Sequence, residues 1–323
     1  MTGSGSPAPS GRPRRVDAHH HVWDLTVRDQ PWTAGLPALR RSFSLDDLRP
    51  RLRTNHVDRT VVVQTICVEE ETPELLELAD NAPEVAGVVG WTDLCAPDIA
   101  ERLAVLRQLE GGQYLVGVRH QVQEEPDPDW LRRAEVRRGL KAVGDAGLVY
   151  DLVVRHYQLP AVIETVAALG DVRFVLDHGG KPDIANGQIE PWRAQVGELA
   201  RLPNVAVKLS GLVTEADHHA WTVDQIKPYA EVIIGAFGAT RTMWGSDWPV
   251  CLLAASYDDV LAAAESFVGA MSAAEQDQVF GGTALAWYAL DRVQSRPDQS
   301  GLGHSGPASI GPDLSGGTQS QGA

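Results

Sequence analysis

Short apolar runs, each followed by a helical stretch, recur eight times between about Arg15 and Arg292. The strand segments read as 15–18, 60–64, 85–91, 114–119, 148–154, 172–176, 205–209 and 241–245. Several of them (TVVVQ, VAGVVGW, LVYDLVV, VRFVL) are almost uninterrupted apolar stretches, the pattern of parallel strands covered on both faces. Helices fit the gaps. Ser44-Leu45-Asp46-Asp47 reads as a capping box opening a helix through Arg53, and Thr72-Pro73-Glu74 places a proline at a first helical position. Segments 97–109 and 130–147 stop at glycines, and 159–170, 191–202, 223–237, 256–268, 272–280 and 283–290 complete the series. Eight strand–helix repeats in 323 residues predict a closed (β/α)8 (TIM) barrel of the α/β class, with a doubly wound open sheet as the runner-up. The hydrophobic share of 43% is enough for such a core. Residues 1–14 and 293–323 are rich in Gly, Ser, Pro and Gln, so disordered tails are expected around a single domain over 15–292.

A barrel of this kind carries its chemistry at the C-terminal ends of its strands. His19, His21, His120, His156 and His178, five of the ten histidines, fall at such ends. In Val16-Asp17-Ala18-His19-His20-His21, strand alternation places Asp17, His19 and His21 on one face and leaves His20 on the other. His178 after strand six and Asp247 after strand eight can complete a ring around the barrel mouth. Such a set offers nitrogen and oxygen ligands for Zn2+ or a similar cation; alternatively, Asp247 takes a proton from an attacking water. Arg119, at the end of strand four, suits a carboxylate or a carbonyl oxygen, or a structural ion pair. Lys208 is an anomaly inside NVAVKLSG, because an unpaired buried ammonium is costly; it pairs with Asp247 or Asp177, or meets a polar substrate. His156 and the tryptophans 91, 244 and 248 are further residues near the mouth.

The net charge of −15 and the lack of a basic stripe exclude nucleic acid as a partner. No apolar run reaches membrane-spanning length, and the first fifteen residues lack a signal-peptide core, so a soluble cytoplasmic protein is expected. Cys67, Cys95 and Cys251 are too few and too scattered for a disulfide framework, and no base is identified beside Cys67 or Cys251 for a thiol nucleophile. Ser210 and Ser246 lack the Gly-x-Ser-x-Gly elbow, and no phosphate-cradling glycine loop is present.

Seven segments in order, VDAHHHVWDL, VVGWTDL, GVRHQVQEEPDPDWL, YDLVV, VLDHGGKPDI, NVAVKLSGLVTEAD and MWGSDWPVCLLAASYDDV, resemble the amidohydrolase superfamily in its sugar-lactonase branch. That resemblance implies a metal-dependent hydrolase that opens the cyclic ester of a sugar acid. It makes His19, His21, His178 and Asp247 the metal ligands and Asp247 the general base, with the developing oxyanion held by the metal, or by His178 and Arg119 if no metal is present. Where two-metal members carry a bridging carboxylate or modified lysine, this chain has Arg119 and His120, which implies one divalent ion at most, zinc foremost; some lactonases of the branch require none. Glu69, His120, Gln121, Lys208 and Trp32 are candidates for contact with the sugar lactone. The long connection 24–46 is a candidate lid. The competing readings are a decarboxylase of the same superfamily and an inactive barrel that serves as a binding protein.

Overall fold

The computed structural model describes residues 14–292; the segments expected to be disordered, 1–14 and 293–323, lie outside it apart from Arg14. Eight parallel strands pair in sequence order: β1 (Val16–His20), β2 (Arg59–Val63), β3 (Val85–Gly90), β4 (Leu115–His120), β5 (Val149–Leu152), β6 (Arg173–Leu176), β7 (Val205–Leu209) and β8 (Thr242–Trp244). The strand over 205–209 is found as expected, and the other observed ends lie within two residues of the expected ones, since hydrogen-bond pairing, not apolarity, ends a strand. The seam is closed by backbone just past β8, where His21 N donates to Trp248 O at 2.7 Å and Asp247 N to His19 O at 2.8 Å. The open-sheet alternative is thereby excluded.

The helices between strands form the outer layer. Ser44 caps α1 (Leu45–Thr54) in a capping box with Asp47. The helix after β2 (Glu71–Asp80, α2) starts two residues earlier than expected, so Pro73 is its third residue. The segment 130–147 divides into a single turn, Trp130–Arg132, and a helix, Ala134–Asp145. No helix among the described residues is long and apolar enough to cross a membrane.

Strand one departs from simple alternation. Between Asp17 and His20 it advances three residues while β2 advances two, from Thr60 to Val62. One extra residue in a strand reverses the facing of the residues beyond it. Ala18 therefore joins the apolar barrel interior, and His19 and His21 also turn inward, whereas Asp17 points out toward the helix Tyr257–Val268. There its carboxylate accepts from Tyr257 Oη at 3.1 Å and Ser246 N at 2.8 Å. Asp17 does not share a face with the two histidines. His20 faces away from them, as expected, and its Nε2 lies 3.0 Å from Thr60 Oγ1.

Inside the barrel the side chains are layered. An apolar layer of Val16, Ala18, Val61, Val149, Val175 and Met243 is capped by Tyr288 and Leu290 from the end of the described chain. Above it lies an ionic layer in which Lys208, with no solvent exposure, sits 2.6 Å from Asp151 Oδ2 and 3.0 Å from Asp177 Oδ1. Asp177 also binds Arg119 Nη1 at 3.0 Å. Tyr288 Oη joins the two layers by donating to the Asp151 carboxylate at 2.8 Å. Removing that donor leaves a buried carboxylate short of a partner. Tyr288→Phe is expected to cost about 2 kcal/mol of unfolding free energy, the range of a hydrogen bond to a charged group; urea titration measures it, and an unchanged midpoint would contradict the layer's role.

Candidate active site

Above the ionic layer, four side chains converge on the floor of a cavity of about 640 Å3. The Nε2 atoms of His19 and His21 are 3.2 Å apart. Asp247 Oδ1 lies 3.7 Å from Nε2 of His19, 3.5 Å from that of His21 and 3.9 Å from that of His178. Among the described residues, one set of three potential ligands, His19, His178 and Asp247, brings its donor atoms within 4.8 Å of one another. A cavity of similar size beside the start of β1, lined by Arg15, His56 and Phe280, gathers no comparable set.

Local backbone explains how these side chains reach one point. His178 and Asp247, two and three residues past the ends of β6 and β8, adopt left-handed φ values of 54° and 56°. That conformation costs a non-glycine residue about 1–2 kcal/mol and turns its side chain back over the barrel mouth. Two glycines make room. A Cβ on Gly211 would stand 2.6 Å from His178 Nδ1, and one on Gly245 would stand 2.7 Å from His19 Cβ.

Burial controls the charge at the site. It drives the His178 imidazole down to about 4, lowers His21, and with the Lys208 charge holds His19 well below its ordinary value. Burial alone would raise the Asp247 carboxyl, but His178, His21 and His19 outweigh it and hold it below the usual carboxylate range. At neutral pH the site is thus one carboxylate among three neutral imidazoles. His21 Nδ1 donates to Val63 O at 2.7 Å, which leaves the Nε2 lone pair facing the site, and His178 Nδ1 pairs with Ser210 Oγ at 2.8 Å. Neutral, oriented imidazoles with a carboxylate fit a divalent cation.

Of the other expected residues, Arg119, Gln121 and Trp32 line the cavity, and Pro31 and Leu36 place the 24–46 connection against it. Three others do not. Glu69 is on the outside, paired with Arg102 at 2.7 Å. His120 stacks on Trp130, accepts from Trp91 Nε1 at 3.0 Å and reaches Glu125 at 2.7 Å, so both ring nitrogens are occupied. Lys208 lies beneath the site in the ionic layer, which removes its expected substrate contact. His156 turns its Nδ1 to Lys181 O at 3.3 Å and stays outside the cluster. Trp244 and Trp248 are buried in packing, the latter edge-on to Phe43. Cys67 lines the cavity, but burial pushes its thiol up to about 11. Thr65, Gln123, Arg155, Lys181 and Glu215 also line it without having been singled out from the sequence. Each lies a few residues past a strand end, a position that could have nominated them. Asp151, in the middle of LVYDLVV, was a legible partner for Lys208.

Two consequences can be measured. Gly211→Ala forces a methyl into the His178 ring at a positive-φ position (62°), so a loss of about 1–3 kcal/mol is expected in chemical denaturation. Stability should also fall as pH drops. His178 and His20, lowered to about 4 and 3, stay neutral when folded, while their unfolded counterparts protonate near 6.5, so the unfolded state binds more protons in that window. Asp17 and Asp151, raised by burial to about 6, and Glu71, raised by the same cause, oppose this in part, but the five lowered histidines outnumber them. Thermal melting should show a plateau above pH 7 and decline from about 6.5 toward 4; a rise on acidification would contradict neutral burial.

Known proteins share this arrangement of chain and fold. Residues 16–290 match the amidohydrolase family model. An L-fucono-1,5-lactonase of Burkholderia multivorans is 42% identical over 289 residues, 85% of this chain and 96% of that protein. One from Burkholderia ambifaria is 37% identical over 286 residues, 86% of this chain and 96% of its own length. The crystal structure of an amidohydrolase from Burkholderia multivorans with bound zinc superposes with a TM-score of 0.81 at 41% identity, covering 85% of this chain and 99% of that one. The chain belongs to the amidohydrolase family.

Proposed function

We propose that this protein hydrolyses the cyclic ester of a sugar acid, an aldonolactone of the L-fucono-1,5-lactone kind. The observation that carries the proposal is the ionised Asp247 ringed by His19, His21 and His178 on the floor of a cavity with polar walls. The lactonases that are 42% and 37% identical to this chain over nearly their full length support the substrate class. The segments that cover strands six to eight are also those that most resemble L-fuconolactonases.

In this reading a water beside Asp247 attacks the lactone carbonyl, and Asp247 takes its proton. The tetrahedral intermediate then expels the ring oxygen, which receives that proton. Arg119, on the cavity wall and held by Asp177, supplies positive charge to the developing oxyanion. His178 supplies a further donor when Ser210 donates to its Nδ1. His19, His21, His178 and Asp247 would hold a divalent cation, zinc by the character of the donors, which would polarise the carbonyl when bound. Trp32, Gln121 and the other polar wall residues face the sugar hydroxyls.

A panel of aldonolactones read by acid release, with and without added Zn2+, tests the proposal. L-Fucono-1,5-lactone or a close stereoisomer should be opened, and Asp247→Asn should lower kcat/KM by about 10^2–10^4, the range for loss of a general base. Lactone turnover unchanged in Asp247→Asn would remove the base. Turnover of an aromatic carboxylate with no lactone opening would favour the decarboxylase reading instead, and no turnover of either would favour a binding protein.

A further inference from the structure

The three histidines of the site are not equivalent, and the difference originates in the layer beneath them. The Lys208 ammonium has no lone pair and can only donate. It lies 2.6 Å from Asp151 Oδ2 and 3.0 Å from Asp177 Oδ1, and also 3.0 Å from His19 Nδ1 with hydrogen-bond geometry. A donor at that position requires the lone pair of His19 on Nδ1 and its proton on Nε2. On its other side, His19 Nε2 faces Arg119 Nη1 at 3.3 Å, a second obligate donor. A neutral imidazole has one lone pair, so only one of these cations receives it. Two observations favour Lys208. Its contact is the shorter, and His21 Nε2, a bare lone pair 3.2 Å from His19 Nε2 and 3.5 Å from the Asp247 carboxylate, needs a donor that a protonated His19 Nε2 supplies.

We propose that Lys208 is a positioning residue that sets the tautomer of His19, so that in the ion-free protein His19 presents Nε2–H to the site as a donor while His21 presents a lone pair. The proton on His19 Nε2 then lies where a cation shared by His19 and Asp247 would bind. For His19 to ligate a divalent ion, that proton moves to Nδ1, and the imidazole stays neutral before and after. Asp177 Oδ1, 3.5 Å from His19 Nδ1, is placed to receive the relocated N–H. Lys208 must then give up its bond to the ring. Lys208 thereby opposes metal binding through His19, whereas His21 enters the coordination shell without rearrangement.

The inference deepens the reading of this site as a metal-capable hydrolytic centre, but its test needs no turnover, so its failure and that of the lactonase proposal are separable. Long-range 1H–15N spectra of the histidine rings, with His19 assigned from a His19→Gln variant, report which ring nitrogen carries the proton. In the metal-free wild type, His19 is expected to show an unprotonated Nδ1 and a protonated Nε2; the reverse pattern would overturn the proposal outright. Titration with Zn2+ should convert His19 to the Nδ1–H form if the ion binds through it, while His21 keeps its Nδ1–H throughout. Lys208→Met should let His19 take the Nδ1–H form without metal and tighten zinc binding by about 10- to 100-fold, the range for outer-shell partners of metal ligands. A folded Lys208→Met protein whose His19 still holds its proton on Nε2 would sink the role of Lys208. If that variant does not fold, the wild-type spectrum decides alone.

Discussion

A lysine ammonium with no solvent exposure, set inside a barrel strand between two carboxylates, organises the interior of this protein. Removing such a charge from water is strongly unfavourable, and only close opposite charges with well-formed hydrogen bonds offset it. Lys208 therefore requires Asp151 on β5 and Asp177 after β6; Asp177 in turn holds Arg119 of β4, and Asp151 holds Tyr288 from the plug beneath. The ionic layer ties four strands to the barrel floor and separates the apolar packing below from the cavity above. It also brings two cations against His19, the fully buried histidine whose ring adjoins His21 and Asp247.

The backbone above that layer bears the cost of convergence. His178 and Asp247 hold left-handed conformations, and Gly211 and Gly245 lack the Cβ atoms that would collide with the His178 ring and with the Cβ and backbone of His19. The register slip in β1 does the corresponding work on the first strand, since it lets Ala18 fill the apolar layer while His19 and His21 still point inward. Asp17, displaced to the outside, secures the same junction from the helix side through Ser246 and Tyr257. The site thus depends on elements at opposite ends of the chain, joined where β1 meets the segment after β8.

Much of this was legible in the order of residues. The period of apolar runs gave eight strands, and counting past their ends nominated His19, His21, His178, Asp247, Arg119, Gln121 and Trp32, all of which lie at the site or line the cavity. The same counting misplaced Glu69, His120 and Lys208, because distance from a strand end does not say whether a nearer partner takes the side chain. Arg102 takes Glu69, Trp91 and Glu125 take His120, and two aspartates take Lys208. Alternation also failed at Asp17, since a single inserted residue leaves no mark in the pattern of apolar and polar positions.

The sequence by itself determined the architecture and the chemical character of the barrel mouth, because hydrophobic periodicity and residue type are local properties that strand pairing carries into space. Only the tertiary structure decided which polar groups neutralise one another and which remain free to act. That outcome depends on distances between residues 57 to 240 positions apart, such as Lys208 with Asp151 and Tyr257 with Asp17. It depends equally on the limited number of protons and lone pairs each buried group can offer its neighbours.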